Sequence, residues 1–141
     1  MRWFFDTSVL VAAVLEEHDH HDRSFLALSD ANRSSSSCAA HNIAELYATL
    51  TRYPGKQRLS EQQALLAVSV IEKRLTILAL DASEYLDAIR RFAGLGITGG
   101  TIYDGLIAEC ALKAKADTLY TWNVGHFLLL GEDVAKKVRT P

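Results

Sequence analysis

Three oxygen-bearing side chains, Asp6, Asp104 and Asn123, stand where strands are expected to end or a helix to begin. Asp6 closes the apolar run Trp3-Phe4-Phe5. Asp104 falls in the first turn of a helix, on the side of Ile107, Ala108 and Ala111. Asn123 follows a strand running from Asp117 to Thr121. Parallel strands present their carboxyl ends on one side of a sheet, so all three can meet at one edge. Carboxylates about 4 Å apart repel by roughly 4 kcal/mol at an effective dielectric of about 20, so such a cluster calls for a cation. Hard oxygen donors without cysteine suit Mg²⁺ or Mn²⁺. Each acid also has a local reading. Asp6 or Ser8 can cap the helix that follows, and Asp104 can serve the positive end of its own helix with Thr101 as N-cap.

The elements that would position these groups follow from hydrophobic spacing. Three consecutive aromatics would leave one in water on a half-exposed strand, so the first strand is predicted to be buried on both faces. Val9 to Leu15 reads as a buried helix. A second helix runs from Ser24 to Asn32, with Phe25, Leu26 and Leu28 as its apolar side. The serine-rich Arg33-Ser34-Ser35-Ser36-Ser37 leads into a strand over Cys38-Ala39-Ala40. His41-Asn42 can cap a helix from Ile43 to Tyr53, whose stripe is Ile43, Leu46, Tyr47 and Leu50. Glu45 lies off that stripe, and periodicity leaves it a surface acid near Thr49 or Arg52.

Pro54-Gly55 ends that helix, and Ser60 with Gln63 opens the next, to Lys73, as a capping box. Leu75 to Leu80 reads as a third strand, and Asp81 and Ser83 open a helix to Ala93. Along the helix from Thr101 to Ala114, Glu109 and Lys113 mark the wet side. After the fourth strand, Val124 to Phe127 forms a short turn, and Val138-Arg139-Thr140 can pair as a last strand. Strands alternating with helices predict a three-layer α/β/α sandwich around a mainly parallel sheet, one domain over residues 1–141.

A hydrophobic content of 49% with 23% charged residues is that of a globular chain. The net charge of -2 argues against a general nucleic-acid-coating protein. It leaves room for an enzyme that holds a nucleic acid through a local basic edge and a metal. No apolar run reaches the roughly 20 residues of a membrane span. The opening segment lacks a signal-peptide pattern, because Asp6 interrupts it and Glu16-Glu17 follow without a small-residue cleavage site. A cytoplasmic protein is expected. Cys38 and Cys110 sit in apolar runs without C-x-x-C spacing and read as small buried hydrophobes. Glu16 to Arg23, dense in His and Asp, reads as a transition-metal site or, more commonly, as a solvated turn entering a helix. Gly94 to Gly100 lacks the G-x-G-x-x-G register of a dinucleotide loop. Leu65-Leu66 and Leu128-Leu129-Leu130 could form interfaces, with core packing the simpler expectation.

Four segments taken together resemble a family. Phe5-Asp6-Thr7-Ser8, Asn42-Ile43-Ala44-Glu45, Gly99-Gly100-Thr101-Ile102-Tyr103-Asp104 and Leu119-Tyr120-Thr121-Trp122-Asn123-Val124-Gly125-His126-Phe127 are similar, in order and spacing, to the motifs of PIN-domain ribonucleases. Among these, the VapC-type toxins of toxin–antitoxin pairs match best. The resemblance implies Mg²⁺- or Mn²⁺-dependent endoribonuclease activity with Asp6, Glu45 and Asp104 as the acidic core. It thereby gives Glu45 a role that periodicity does not. Asp6 and Asp104 would hold the metal, and Glu45 would bind it through water or orient the attacking water. Many members carry a fourth acid where this chain has Asn123, which offers a carbonyl oxygen but no charge. Thr7, Ser8 and Thr121 would orient these groups or the substrate. Arg52, Lys56, Arg58, Lys113 and Lys115 are candidates for guiding the RNA backbone. An antitoxin protein partner and a homodimer are further implications.

Two other enzyme readings fit less well. A phosphatase with Asp6 as nucleophile usually has an acid two residues later, where Ser8 stands, and a phosphoacceptor domain would have a lysine after a late strand. The alternative from another class is a PIN-like module that grips RNA or a protein without cutting, a reading to which Asn123 lends weight.

Overall fold

The aromatic run forms β1 (Trp3–Phe5), the central strand of a five-stranded sheet in the computed structural model, which describes residues 1–141. The other strands are β2 (Ser36–Ala39), β3 (Thr76–Leu78), β4 (Thr118–Tyr120) and β5 (Val138–Arg139). All pairs are parallel, in the order β3-β2-β1-β4-β5. Parallel strands need crossovers, and helices supply them on both faces. One face carries α1 (Thr7–Val14), α2 (His21–Asp30), α3 (Ala40–Arg52) and α4 (Glu61–Arg74). The other carries α5 (Ala82–Gly94), α6 (Thr101–Lys113), α7 (Val124–Phe127) and α8 (Glu132–Ala135).

Strand alternation divides the interior into two cores. Phe5 and Cys38 pack with Leu10, Leu46, Leu50 and Ile71 on the α1–α4 side. Their chain neighbours Phe4 and Ala39 pack with Phe92, Ile107 and Phe127 on the α5–α8 side. Phe4 and Phe5 are both fully buried, as a central strand covered on two faces requires. The expected three-layer sandwich is therefore the observed one.

Strand order decides where a ligand can sit. From β1 the chain steps outward to β2 and β3, then returns to β4 on the other side of β1 and continues to β5. The reversal lies between β1 and β4, and the crevice beyond the carboxyl ends of those strands is the ligand position in such sheets. Asp6 and Thr121 are the first residues past those two ends.

Several sequence expectations shift for local reasons. β2 begins at Ser36, inside the serine-rich piece, because pairing with both β1 and β3 draws Ser36 and Ser37 into the sheet. α2 starts at His21, and only Leu28 of its expected apolar side is buried, while Phe25 and Leu26 lie exposed. Leu65, Leu66, Leu128 and Leu129 are also exposed rather than packed in the core, and of those pieces Leu130 alone is buried. α3 starts at Ala40, so His41 and Asn42 lie within it; Asn42 caps from inside, its Oδ1 accepting the Ala39 N–H at 2.8 Å. Thr101 is not an N-cap: it is already helical, and Gly100 precedes it. Glu109 and Lys113 pair not with each other but with α5, through Arg91 at 2.7 Å and Glu84 at 2.8 Å. No helix is long and apolar enough to cross a membrane.

Candidate active site

Asp6 is 3% exposed at the junction of β1 and α1. Its Oδ2 accepts hydrogen bonds from Ser8 Oγ and Thr121 Oγ1, both at 2.8 Å, and a long one from the Ser8 N–H at 3.4 Å. Asp6 thus makes the helix cap that the sequence offered. Its Oδ1 has no donor among these bonds. Burial pushes the Asp6 carboxyl above the usual carboxylate range, against the lowering effect of the Thr121 and Ser8 hydrogen bonds.

Glu45 comes from α3, and its Oε1 accepts the Thr7 hydroxyl proton at 2.9 Å. Thr7 Oγ1 in turn accepts from Asn42 Nδ2 at 2.9 Å. One chain of bonds thus runs from the Ala39 N–H through the fully buried Asn42 and Thr7 to Glu45, tying the ends of β1 and β2 to α3. His41 Nε2 lies 3.8 Å from the same carboxylate. The i,i+3 spacing of Asn42 and Glu45 on one helix was available in the sequence; the Asn42 side chain's part in positioning Glu45 was not.

Asp104 is half-buried in the first turn of α6, with His126 Nδ1 of α7 at 3.4 Å from Oδ2. Its carboxyl is raised by burial and by the Asp6 charge, with a smaller contribution from Glu45, and His126 opposes them. Asn123 is exposed just before α7, its N–H donating to Thr121 Oγ1 at 2.9 Å. Asp6, Glu45, Asp104 and Asn123 all line one cavity of about 510 Å³, with Thr7 and Ser8. His18 and His20 line it too, so the turn after α1 is more than a solvated connection, and Val11, Thr49, Tyr53 and Trp122 complete the wall.

The charge pattern suits a hard cation. Two carboxyls raised by burial, Asp104 also by the Asp6 charge, form a place that a divalent ion would neutralise. As the side chains stand, no three His, Cys, Asp or Glu residues form a closed ligand group. Glu45 Oε1 is held by Thr7, which leaves Oε2 for an ion or for its water.

The basic candidates separate. Arg52 ends α3 and Lys56 and Arg58 follow it, past the cavity-lining Tyr53, whose carbonyl accepts from Arg58 Nε at 2.9 Å. Lys113 and Lys115 lie elsewhere. They line a second cavity, of about 320 Å³, with Arg2, Arg33 and Ser36 where the strands begin, at the opposite edge of the sheet from Asp6. Asp117 is also at that far edge, accepting the Arg2 N–H at 2.7 Å, and cannot stand in for an acid at Asn123.

Fold and site together define an α/β domain with an acidic cavity at its topological switch point. Residues 3–124 match the PIN domain, and the chain belongs to that family. It is 37% identical over 117 residues to Ribonuclease VapC40 of Mycobacterium tuberculosis, covering 81% of each protein. Its fold is similar to that of VapC20 of Mycobacterium tuberculosis, a Sarcin-Ricin loop cleaving toxin, with a TM-score of 0.69 at 15% identity over 86% of this chain and 89% of the other. It is also similar to a chain of VapBC2 from Rickettsia felis bound to a DNA fragment from its promoter, with a TM-score of 0.65 at 19% identity over 99% and 98% of the two chains.

Proposed function

We propose that this protein is a Mg²⁺- or Mn²⁺-dependent endoribonuclease and the toxin of a toxin–antitoxin pair. The observation that carries the reading is the convergence of Asp6, Glu45 and Asp104, from three separate elements, on one cavity. Similarity to a protein named ribonuclease over 81% of the chain supports it.

Asp6 and Asp104 would hold the ion. A bound divalent ion supplies a water of lowered pKa and balances charge that builds on the phosphate. Ser8 and Thr121 fix Asp6 Oδ2, which leaves Oδ1 without a side-chain donor and able to take an ion. Glu45, aimed by Thr7 and Asn42, orients the attacking water and is the group able to take its proton. Asn123 contributes a neutral oxygen at the rim, which leaves the site one charge short of a four-acid arrangement. Arg52, Lys56 and Arg58 would meet the RNA backbone beyond Tyr53.

Similarity to VapBC2 supports a protein partner, the antitoxin. Exposed Phe25 and Leu26 on α2 and Leu65, Leu66 and Val70 on α4 are apolar surface of the kind partners cover. These helices are linked where Arg74 Nη1 donates to the Ser29 carbonyl at 2.7 Å. A second apolar set on α5, Tyr85, Leu86 and Ile89, would serve a homodimer.

The test is cleavage of single-stranded RNA in Mg²⁺ or Mn²⁺. Asp6→Asn and Asp104→Asn should each lower the rate by roughly two orders of magnitude or more, the scale of preorganised charge stabilisation, and EDTA should stop the wild type. Unchanged cleavage in both variants would remove the proposal. RNA binding with no cleavage and no response to metal would favour the non-catalytic module, for which the uncharged Asn123 is the specific observation.

A further inference from the structure

His20 and Trp122 stack face to face, with ring centroids 3.7 Å apart and planes 9° from parallel. The indole is fixed beneath. Its Nε1–H donates to Oγ of the fully buried Ser24 at 2.8 Å, and its backbone N–H donates to Ser8 Oγ at 2.9 Å. That same Ser8 hydroxyl donates to Asp6, so the ring and the carboxylate share one anchor. His20 is exposed in the turn before α2, its N–H donating to His18 Nδ1 at 3.1 Å. Both rings line the cavity of Asp6, Glu45 and Asp104.

No lysine or arginine lines that cavity. Phosphate attraction, the usual source of nucleic-acid affinity, is therefore weak at the point where the acids stand. Aromatic rings supply the other general attraction for single strands, since every base has a face that stacks. Resting on the nuclease reading, we propose that the His20–Trp122 stack is a nucleobase subsite. It takes one unstacked base of single-stranded RNA against the exposed His20 ring, beside His18, and so sets where the backbone lies over the acids. Bases inside a duplex are already stacked and do not reach it.

The probe is a fluorescein-labelled oligoadenylate of eight nucleotides, compared with an abasic ribose-phosphate chain of the same length, in Ca²⁺. The wild type should bind the oligoadenylate more tightly. His20→Ala should lose roughly tenfold on it, the contribution of one stacked base, and nothing on the abasic chain, whereas His20→Phe should retain the wild-type value. Oligoadenylate should also quench tryptophan emission, and Trp122→Phe, which leaves Trp3 alone, should abolish the quenching. The subsite is overturned if the wild type treats both probes alike or binds neither, if His20→Ala loses equally on both, or if its affinity is unchanged. Cleavage in Mg²⁺ or Mn²⁺ separates the two readings. A protein that cuts RNA but ignores bases sinks the subsite alone, and one with the base signature that cuts nothing sinks the nuclease alone.

Discussion

Single carboxylates carry opposite demands here. Asp6 and Asp104 are both raised above the ordinary value of 3.8, chiefly by burial. The folded state then binds more protons than the unfolded chain, so stability falls as pH rises from 3.8 through the raised values. In EDTA at pH 7, Asp104→Asn should therefore melt above the wild type, and the gap should close as pH falls through the raised value toward the ordinary 3.8. A lower melting temperature for the variant in EDTA at pH 7 would show that burial does not dominate at Asp104. The Thr7 hydroxyl is a cleaner lever on mechanism, because it holds Glu45 without carrying a charge of its own. A hydrogen bond to a charged group contributes about 1.5–3 kcal/mol. Thr7→Val should accordingly slow cleavage by roughly ten- to a hundredfold, with Thr7→Ser near wild type. A Thr7→Val enzyme as fast as the wild type would detach Glu45 from the chemistry.

At the scale of elements, α5 and α6 meet through a missing side chain. A Cβ on Gly105 would stand 2.9 Å from Cδ2 of the fully buried Phe92, so α6 approaches α5 closely only because Gly105 has none. Alanine is favoured over glycine within a helix by about 1 kcal/mol, whereas overpacking a filled core costs about 1–3 kcal/mol. Gly105→Ala should then destabilise by about 1 kcal/mol, lowering the melting temperature by a few degrees, and should slow cleavage because Asp104 is its neighbour. Thermal melts of Gly105→Ala with and without Phe92→Leu check this, since the smaller side chain should remove most of the penalty. A stabilised single variant would mean the ring yields freely. Helix starts were legible where their signals are local. Ser60 with Gln63 makes reciprocal bonds at α4, and Asp81 with Glu84 does the same at α5. The start of α3 was not, because its cap reaches back from Asn42 and was visible only as a pair of polar residues.

Across the whole molecule, one thin sheet separates two cores, and each core holds one thiol. Burial pushes the Cys38 thiol up to about 12 and the Cys110 thiol up to about 11. Neither should react with a thiol reagent at pH 8 until its layer opens. With the other cysteine replaced by alanine, Cys38 and Cys110 should label with the same opening free energy, because β1 and β2 contribute residues to both cores. Labelling rates differing more than tenfold would show that the layers open separately.

The chain's local pattern by itself determined the buried first strand, the alternation that makes a layered α/β domain, the buried cysteines and the strand-end position of Asp6. Periodicity and capping are properties of neighbours, so they can be read in one dimension. The same pattern balances Asp104 between a helix cap and a functional acid, and it gives Glu45 no role without the family resemblance. The tertiary structure decided the rest. It reversed the strand order between β1 and β4, joined Thr7 to Glu45, and drew His20 and Trp122 into one stack. It also sent Lys113 and Lys115 to the far edge of the sheet. Those outcomes depend on which strand pairs with which, and that is settled by burying two hydrophobic faces at once, a condition that no local stretch of sequence contains.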